Sequence, residues 1–386
     1  MECENKRVTI LVEPLLFNSR LQICKYLTNS LISKGSVCII SNKNYETEHF
    51  NEIFKSLRKD VTFVKCDCFN NLGKYRQLSF KEVRILSKVI VHTINNKYKG
   101  FDINLLYCAV DDYPKFWPYI AFYVSAMTKG IVKSCAIKYR AEGVLFDTKM
   151  TIPYFIKKAL FCIPTNTLGI KTIVFDERCL SIKNVEVIPD PWSNDNIITD
   201  KLRLISDYSL PHNNGGINVL LIGYQDQRKG IEFFIDYLEK DESKKFNFIV
   251  VGNIAVEYKE VFERIKIKKE NLIHIDKFVT EKEMLSFFDY TDVVLLPYHP
   301  NFKSSSGVLI RSVLFGKPVV TTSHGLVGYR TKMNCLGVVV RYGDVECLSN
   351  AINKAFLSSN ENRESKLRFV NENSLASFDK KIRKIV

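Results

Sequence analysis

The sequence predicts an α/β protein made of two doubly wound, Rossmann-like domains with an interdomain cleft. Three observations carry that prediction. Short, continuous apolar runs alternate with helix-periodic stretches along the chain. The alternation breaks once, in a polar stretch containing Pro, Asn and Gly, and then restarts. The length of 386 residues exceeds what one simple core accommodates. Continuous apolar strands separated by helices mark a parallel sheet covered on both faces.

Val8 to Val12 (VTILV) reads as the first strand. Leu21, Cys24, Leu27, Leu31 and Ile32 then recur at helical spacing over Leu21 to Ser33, and Gly35 stops that helix. Val37 to Ile40, Val61 to Val64, Ile103 to Cys108 and Val132 to Ile137 repeat the strand signal, with helical stretches near 80–95 and 117–129. Val185 to Ile188 and the turn Pro189-Asp190-Pro191-Trp192 close a first domain over residues 1–192. Residues 193–215 are polar, with Pro211, Asn213, Asn214 and Gly215, and read as the linker. A second domain over 216–360 has strands at Val219 to Ile222, Phe246 to Val251, Leu272 to Ile275, Val293 to Leu296 and Val319 to Thr322. Its helices are expected at Ile231 to Leu238, near 281–289 and near 307–315. Residues 361–386 are expected as a helical segment, with Phe378, Ile382, Ile385 and Val386 providing a docking face.

Composition narrows the class. With 46% hydrophobic and 25% charged residues the chain is globular, and no short repeat points to a solenoid. The 11 cysteines lie singly except Cys66 and Cys68; no paired spacing supports zinc, and reduced core thiols of a cytoplasmic protein are expected. Met1 to Arg7 is polar, and the apolar run after it is too short for an export signal or a membrane span. Residues 1–190 hold 28 basic and 18 acidic side chains, against 28 and 24 in the remainder. A basic first domain suits an anionic membrane surface or a phosphorylated lipid as well as a merely solvated surface. No nucleic-acid-binding module is recognisable.

Three segments of the second domain carry candidate chemistry. Gly223 to Gly230 (GYQDQRKG) follows a strand and precedes a helix, where ligands of doubly wound sheets bind. Gly223 permits a tight turn, and Arg228 and Lys229 supply cations for a diphosphate; the bland alternative is a solvated basic loop. Ser304-Ser305-Ser306-Gly307 opens the next helix but one, and hydroxyls, amides and helix dipole would converge there on an anion, although capping alone needs only one serine. Ser323-His324-Gly325 forms a third turn at a strand end, with His324 and Gly325 able to approach the same ligand; a single His is more often structural. In the first domain, Asp111-Asp112 follows a strand and suits a base, a metal or plain helix capping. Lys138-Tyr139-Arg140-Ala141-Glu142-Gly143 is the most polar strand end, where Arg140 could hold an acceptor or phosphate and Glu142 could take a proton. Asp190 sits in the turn leaving the domain, facing the expected cleft.

The runs VLLIGYQDQRKGIEFFI, FNFIVVG, VVLLPY, SSSGVLIRSVLFGKPVVTT and GLVGYRTKMNCLGVVVRYGD, in that order over residues 217–357, resemble the donor half of a retaining family-4 glycosyltransferase. That resemblance implies the two-domain GT-B arrangement and transfer of a sugar from a nucleotide diphosphate donor to an acceptor, with no bound metal and no other cofactor. It implies that Arg228 and Lys229 stand against the diphosphate. The sequence departs from the family at two acids spaced eight apart before GKPVV: Lys303 and Arg311 occupy those positions. A guanidinium cannot accept hydrogen bonds from ribose hydroxyls, so that role passes in expectation to Ser312 or to backbone groups. The family's usual His in the first domain is also replaced by the KYRAEG segment.

The resulting expectation is a hexosyltransferase-like enzyme of cell-surface polysaccharide synthesis. Arg228, Lys229 and Glu142 would be catalytic; Gly223, Ser304, Ser305, Ser306, Gly307, Arg311, Ser312, His324 and Gly325 would bind donor; Arg140, Asp111 and Asp190 would meet a glycan or lipid-linked acceptor. Phe116-Trp117-Pro118-Tyr119, with Tyr123, Lys157 and Lys158, is either a membrane-facing patch at the inner face of the membrane or a buried helix. The alternative function is a non-catalytic nucleotide- or glycan-binding relic of the same fold.

Overall fold

The computed structural model describes residues 6–14, 16, 18–42, 54, 61–69, 78–141, 144–145, 152–192, 198–211, 215–241, 243 and 245–386. They form two compact units, residues 1–191 with 375–386 and residues 192–374.

The first unit holds a seven-stranded sheet in the order β3-β2-β1-β4-β5-β6-β7. Its strands are β1 (Arg7–Val12), β2 (Ser36–Ser41), β3 (Val61–Lys65), β4 (Asp102–Tyr107), β5 (Lys133–Lys138), β6 (Lys171–Val174) and β7 (Val185–Val187). All the pairings are parallel, with Leu11 opposite Ile39 on one side and Leu106 on the other. The continuous apolar runs are explained by their two-sided burial. Val8, Ile10 and Val12 enter one core while Leu11 enters the other, and Cys38 and Ile40 part from Val37 and Ile39 in the same way. The first core is covered by α2 (Phe80–His92), α3 (Trp117–Met127) and α4 (Ile152–Thr167). The second is covered by α1 (Asn18–Ile32), through Leu21, Cys24, Leu27 and Leu31. Ser79 and Glu82 close a capping box at the start of α2. β6 is absent from the expected strands because four residues, the first of them a lysine, carry little pattern.

Trp117 lies fully buried, edge-on to Tyr107 at 4.9 Å and stacked on Phe161 at 6.3 Å. It belongs to the core and not to an exposed patch, since the helical turn it starts points its large ring at the sheet.

The second unit holds a six-stranded sheet in the order β10-β9-β8-β11-β12-β13. The strands are β8 (Ile217–Ile222), β9 (Phe246–Val251), β10 (Leu272–Ile275), β11 (Val293–Leu296), β12 (Val319–Thr322) and β13 (Gly337–Val340). Again all are parallel. Val219 and Leu221 face one core, Leu220 and Ile222 the other. The helices that follow strands are α6 (Ile231–Lys240), α7 (Val256–Lys268), α8 (Glu281–Tyr290), α9 (Gly307–Leu314), α10 (Gly325–Met333) and α11 (Glu346–Leu357).

Two segments differ from expectation. The stretch read as linker contains α5 (Lys201–Tyr208), capped by Asp200, whose Leu204 joins Leu210 and Phe287 in the core of the second unit. The C-terminal segment is divided between the units. Phe369 of α12 (Arg363–Glu372) packs in the second unit, whereas Phe378 and Ile382 of α13 (Leu375–Ile385) are fully buried beside α1 in the first. Most of the described cysteines are buried, and all ten are free thiols.

Candidate functional site

In each sheet the strand order reverses between two neighbours, β8 and β11 in the second unit and β1 and β4 in the first. At such a point the loops that leave adjacent strands run to opposite faces, which opens a crevice at the strands' carboxyl ends.

In the second unit three predicted segments meet at that end, because β8, β11 and β12 are consecutive in the sheet. Asp226 folds the loop after β8: its carboxylate caps a 3-10 turn by accepting from the Lys229 amide at 3.0 Å, and it also accepts from Arg228 Nε at 3.2 Å. Arg228 is half exposed, so this pair is weak, and its Nη groups bond to nothing among the described residues. The loop is stitched to the segment after β11 by the His299 amide, which donates to the Arg228 carbonyl at 3.1 Å. Gly230, with φ at 77°, makes that close approach possible, because a Cβ there would stand 1.8 Å from the Pro297 oxygen.

Lys229 is held more firmly. Its Nζ donates to Tyr298 Oη at 2.7 Å and lies 4.0 Å from the Tyr298 ring centroid and 4.7 Å from that of Phe302. Two aromatic faces and a phenol oxygen fix the ammonium without neutralising it. Tyr298 Oη is in turn 3.0 Å from Ser306 Oγ, and Ser306 caps α9 by accepting from the Leu309 amide. The cation, the phenol and the start of α9 therefore form one connected unit. Ser304 and Ser305 are half buried beside it, and Gly307 opens the helix against the ring of Trp192. His324 is exposed at the start of α10 and makes no side-chain cap, while Gly325 (φ 66°) runs so close to the Phe302 carbonyl that an added Cβ would stand 2.4 Å from its oxygen. Gly223, at φ 108°, turns the chain out of β8.

Two expected donor residues point elsewhere. Ser312 is fully buried, and its hydroxyl donates to the Val308 carbonyl at 2.7 Å, the usual outlet for a serine inside a helix. It is not available to a ribose. The Arg311 guanidinium lies 3.9 Å over the Trp192 ring and 3.5 Å from Glu281, so its position on α9 serves packing within the unit.

The first unit gathers a charged network at its own reversal point. Glu13, fully buried just after β1, accepts from Tyr139 Oη at 3.1 Å and faces Arg20 at 3.6 Å. Arg20 also grips Asp112 through both terminal nitrogens. Burial works against the Arg20 charge, yet the Asp112 bonds and the Glu13 field hold the guanidinium beyond its ordinary basicity. Burial, reinforced by Glu13, pushes the Tyr139 phenol well up. Asp111 is spent as well: Lys138 Nζ donates to it at 2.6 Å and the Arg140 amide at 3.0 Å. Asp111 is thus a buried anchor within the unit. The anchor orients Arg140, whose exposed guanidinium donates to the Asp111 carbonyl at 3.2 Å. Asp190 is likewise buried, at 6% exposure. Glu142 lies outside the described residues.

Asp226, Tyr298, Glu13 and Arg20 are the participants that motif reading missed. A lone acid directly after an all-apolar strand was the available signal for Glu13, and the aromatic pair Tyr298 and Phe302 spaced four apart was the signal for the lysine cage.

Residues 216–357 match the family described as glycosyl transferases group 1. An uncharacterized 41.2 kDa protein in the cps region of Klebsiella pneumoniae is 27% identical over 128 residues, which span 33% of this chain and 34% of that one. A glycosyltransferase from Rickettsia africae superposes with a TM-score of 0.72 at 16% identity, covering 99% of this chain and 98% of the other. Sucrose-phosphate synthase from Thermosynechococcus elongatus gives 0.70 at 12%, covering 98% of each chain. Anabaena HepE in complex with UDP gives 0.70 at 11%, over 98% and 99%. These likenesses establish the fold, two Rossmann-like domains in one chain.

Proposed function

We propose that this chain is a glycosyltransferase that binds a nucleotide diphosphate sugar in its second unit and transfers the sugar with retention of configuration. The observation that carries the reading is the convergence of Arg228, the caged Lys229 and the starts of α9 and α10 on the carboxyl ends of three neighbouring strands. Amides at helix starts and fixed cations suit a diphosphate. The group 1 family match over the same residues supports it, as does HepE, solved with UDP-glucose.

Such a reaction turns on the departing diphosphate, which gathers charge as the glycosidic bond to it breaks. Lys229 and Arg228 would offset that charge without first having to be organised, and no metal is required for that step. In the first unit, Arg140 would meet the acceptor, with Glu142 taking its proton. The acceptor is a glycan or lipid-linked glycan met at the inner face of a membrane. The Klebsiella relative in a cps region supports a place in cell-surface polysaccharide synthesis.

One observation favours the second reading, a nucleotide-binding relic without turnover: the two positions where the family resemblance implies acids hold Lys303 and Arg311. Incubating the chain with a panel of nucleotide sugars and membrane extract, with product mass spectrometry, separates the two. Donor binding with neither transfer nor hydrolysis supports the relic; absence of donor binding refutes both.

A further inference from the structure

We propose that the outer face of α4 in the first unit is a docking surface for an anionic lipid bilayer. Ile152, Phe155, Ile156, Ala159 and Ile163 recur at three- and four-residue spacing, so they share one stripe of the helix. All five are exposed, with Ile152 at 78%, Phe155 at 52%, Ile156 at 55% and Ile163 at 58%. The opposite side of the helix, Phe161, Pro164 and Thr165, is buried against the sheet core, so the stripe is a second apolar face and not a misplaced first one. A contiguous apolar stripe left open to water marks an interaction site.

Charge selects the occupant. Helix α4 carries Lys157 and Lys158 and no acid, and residues 113–175 hold nine basic side chains against two acidic ones. An apolar face on a helix whose only charged side chains are two lysines suits the headgroup and acyl boundary of an anionic leaflet. At 16 residues α4 is too short to span a bilayer, and among the described residues no helix is long and apolar enough to do so, so the contact would be lateral. The surface deepens the transfer reading, on which it rests for its purpose, by naming where the chain meets a membrane that carries its acceptor.

The test uses the full chain with vesicles of equal parts phosphatidylcholine and phosphatidylglycerol, read by co-sedimentation, beside UDP binding and thermal melting. Phe155→Glu with Ile156→Glu, and separately Ile163→Glu, change exposed positions in different turns. Wild type should pellet with the vesicles, less so at high salt, and each variant should lose on the order of tenfold or more in partitioning, with UDP binding and melting unchanged. Wild type remaining in the supernatant, or variants pelleting like wild type, overturns the proposal. So does light scattering that shows a variant-sensitive dimer without vesicle binding, which assigns the stripe to a second copy. A chain that binds vesicles but none of UDP, GDP, ADP and dTDP refutes the transfer reading and leaves the docking surface standing.

Discussion

Replacing Lys229 by Ala isolates the term on which the donor site depends. The ammonium is held at 2.7 Å from Tyr298 Oη and over two rings, so it is positioned before any ligand arrives. A phosphate oxygen at about 4 Å from it would gain about 4 kcal/mol at the effective dielectric of a protein surface, before desolvation costs. Loss of one such preorganised charge typically lowers turnover by about 10²–10³, or about 2.7–4 kcal/mol. The fold should lose far less. Tyr298 Oη keeps Ser306 Oγ at 3.0 Å, so no buried hydroxyl is orphaned, and the melting midpoint should fall by about 2–4 °C for a loss near 1 kcal/mol. Calorimetric titration with UDP, steady-state transfer and a circular-dichroism melt on the same preparation distinguish the effects. Wild-type affinity and turnover in a folded Lys229→Ala protein would refute the assignment of the diphosphate site. A collapse of stability with them would show that the lysine is chiefly structural.

Gly230→Ala should displace the loop after β8, since its Cβ would meet the Pro297 oxygen at 1.8 Å; a loss of more than about 1 kcal/mol in denaturant unfolding and weakened UDP binding are expected together. Arg311→Glu restores an acid at a family position, yet it should not raise donor affinity, because the residue stacks on Trp192 beside Glu281; a destabilisation of about 1 kcal/mol is expected instead, read from the melt. Phe378→Ala should cost about 3–5 kcal/mol in the first unit, measured by hydrogen exchange of β1 and α1 amides, with exchange in β8 unaffected. Burial tends to raise the Glu283 carboxyl, but bonds from Tyr208, Thr280 and Lys277 outweigh it and bring it down to about 2 from 4.5. A depressed carboxyl contributes stability above its unfolded value and loses it as pH falls through the folded one. The advantage of wild type over Glu283→Gln should therefore hold above pH 4.5 and shrink towards pH 2, followed by urea titrations across that range.

The sheets were readable from sequence wherever burial on both faces made a strand almost wholly apolar, as in VTILV and FNFIVV, each broken by a single polar residue. β13, GVVV, escaped as a separate strand since its run follows Cys335-Leu336 and only Val340 of its residues is buried at the sheet edge. The polar stretch 193–215 concealed α5 because an eight-residue helix with one buried leucine leaves almost no periodic trace. Within the site, the positions of Arg228, Lys229 and the serine turn followed from strand ends. Their partners did not. The Tyr298 contact joins residues 69 apart, and the Asp112 contact with Arg20 joins residues 92 apart, so neither leaves a local signature. Ser312 was misjudged for a related reason: a serine in a helix has a backbone carbonyl one turn back, and only packing decides whether the hydroxyl uses it.

The return of α13 to the first unit makes the second unit an insertion in it, bounded by residues 192 and 374. During synthesis, residues 192–374 are complete before Phe378 and Ile382 emerge, so the inserted unit can reach its native state while its host still lacks one wall. The side of α1 on which α13 packs faces water or a chaperone for that interval. The order of maturation on the ribosome should thus run against the order of the sequence, with the first unit the last to close.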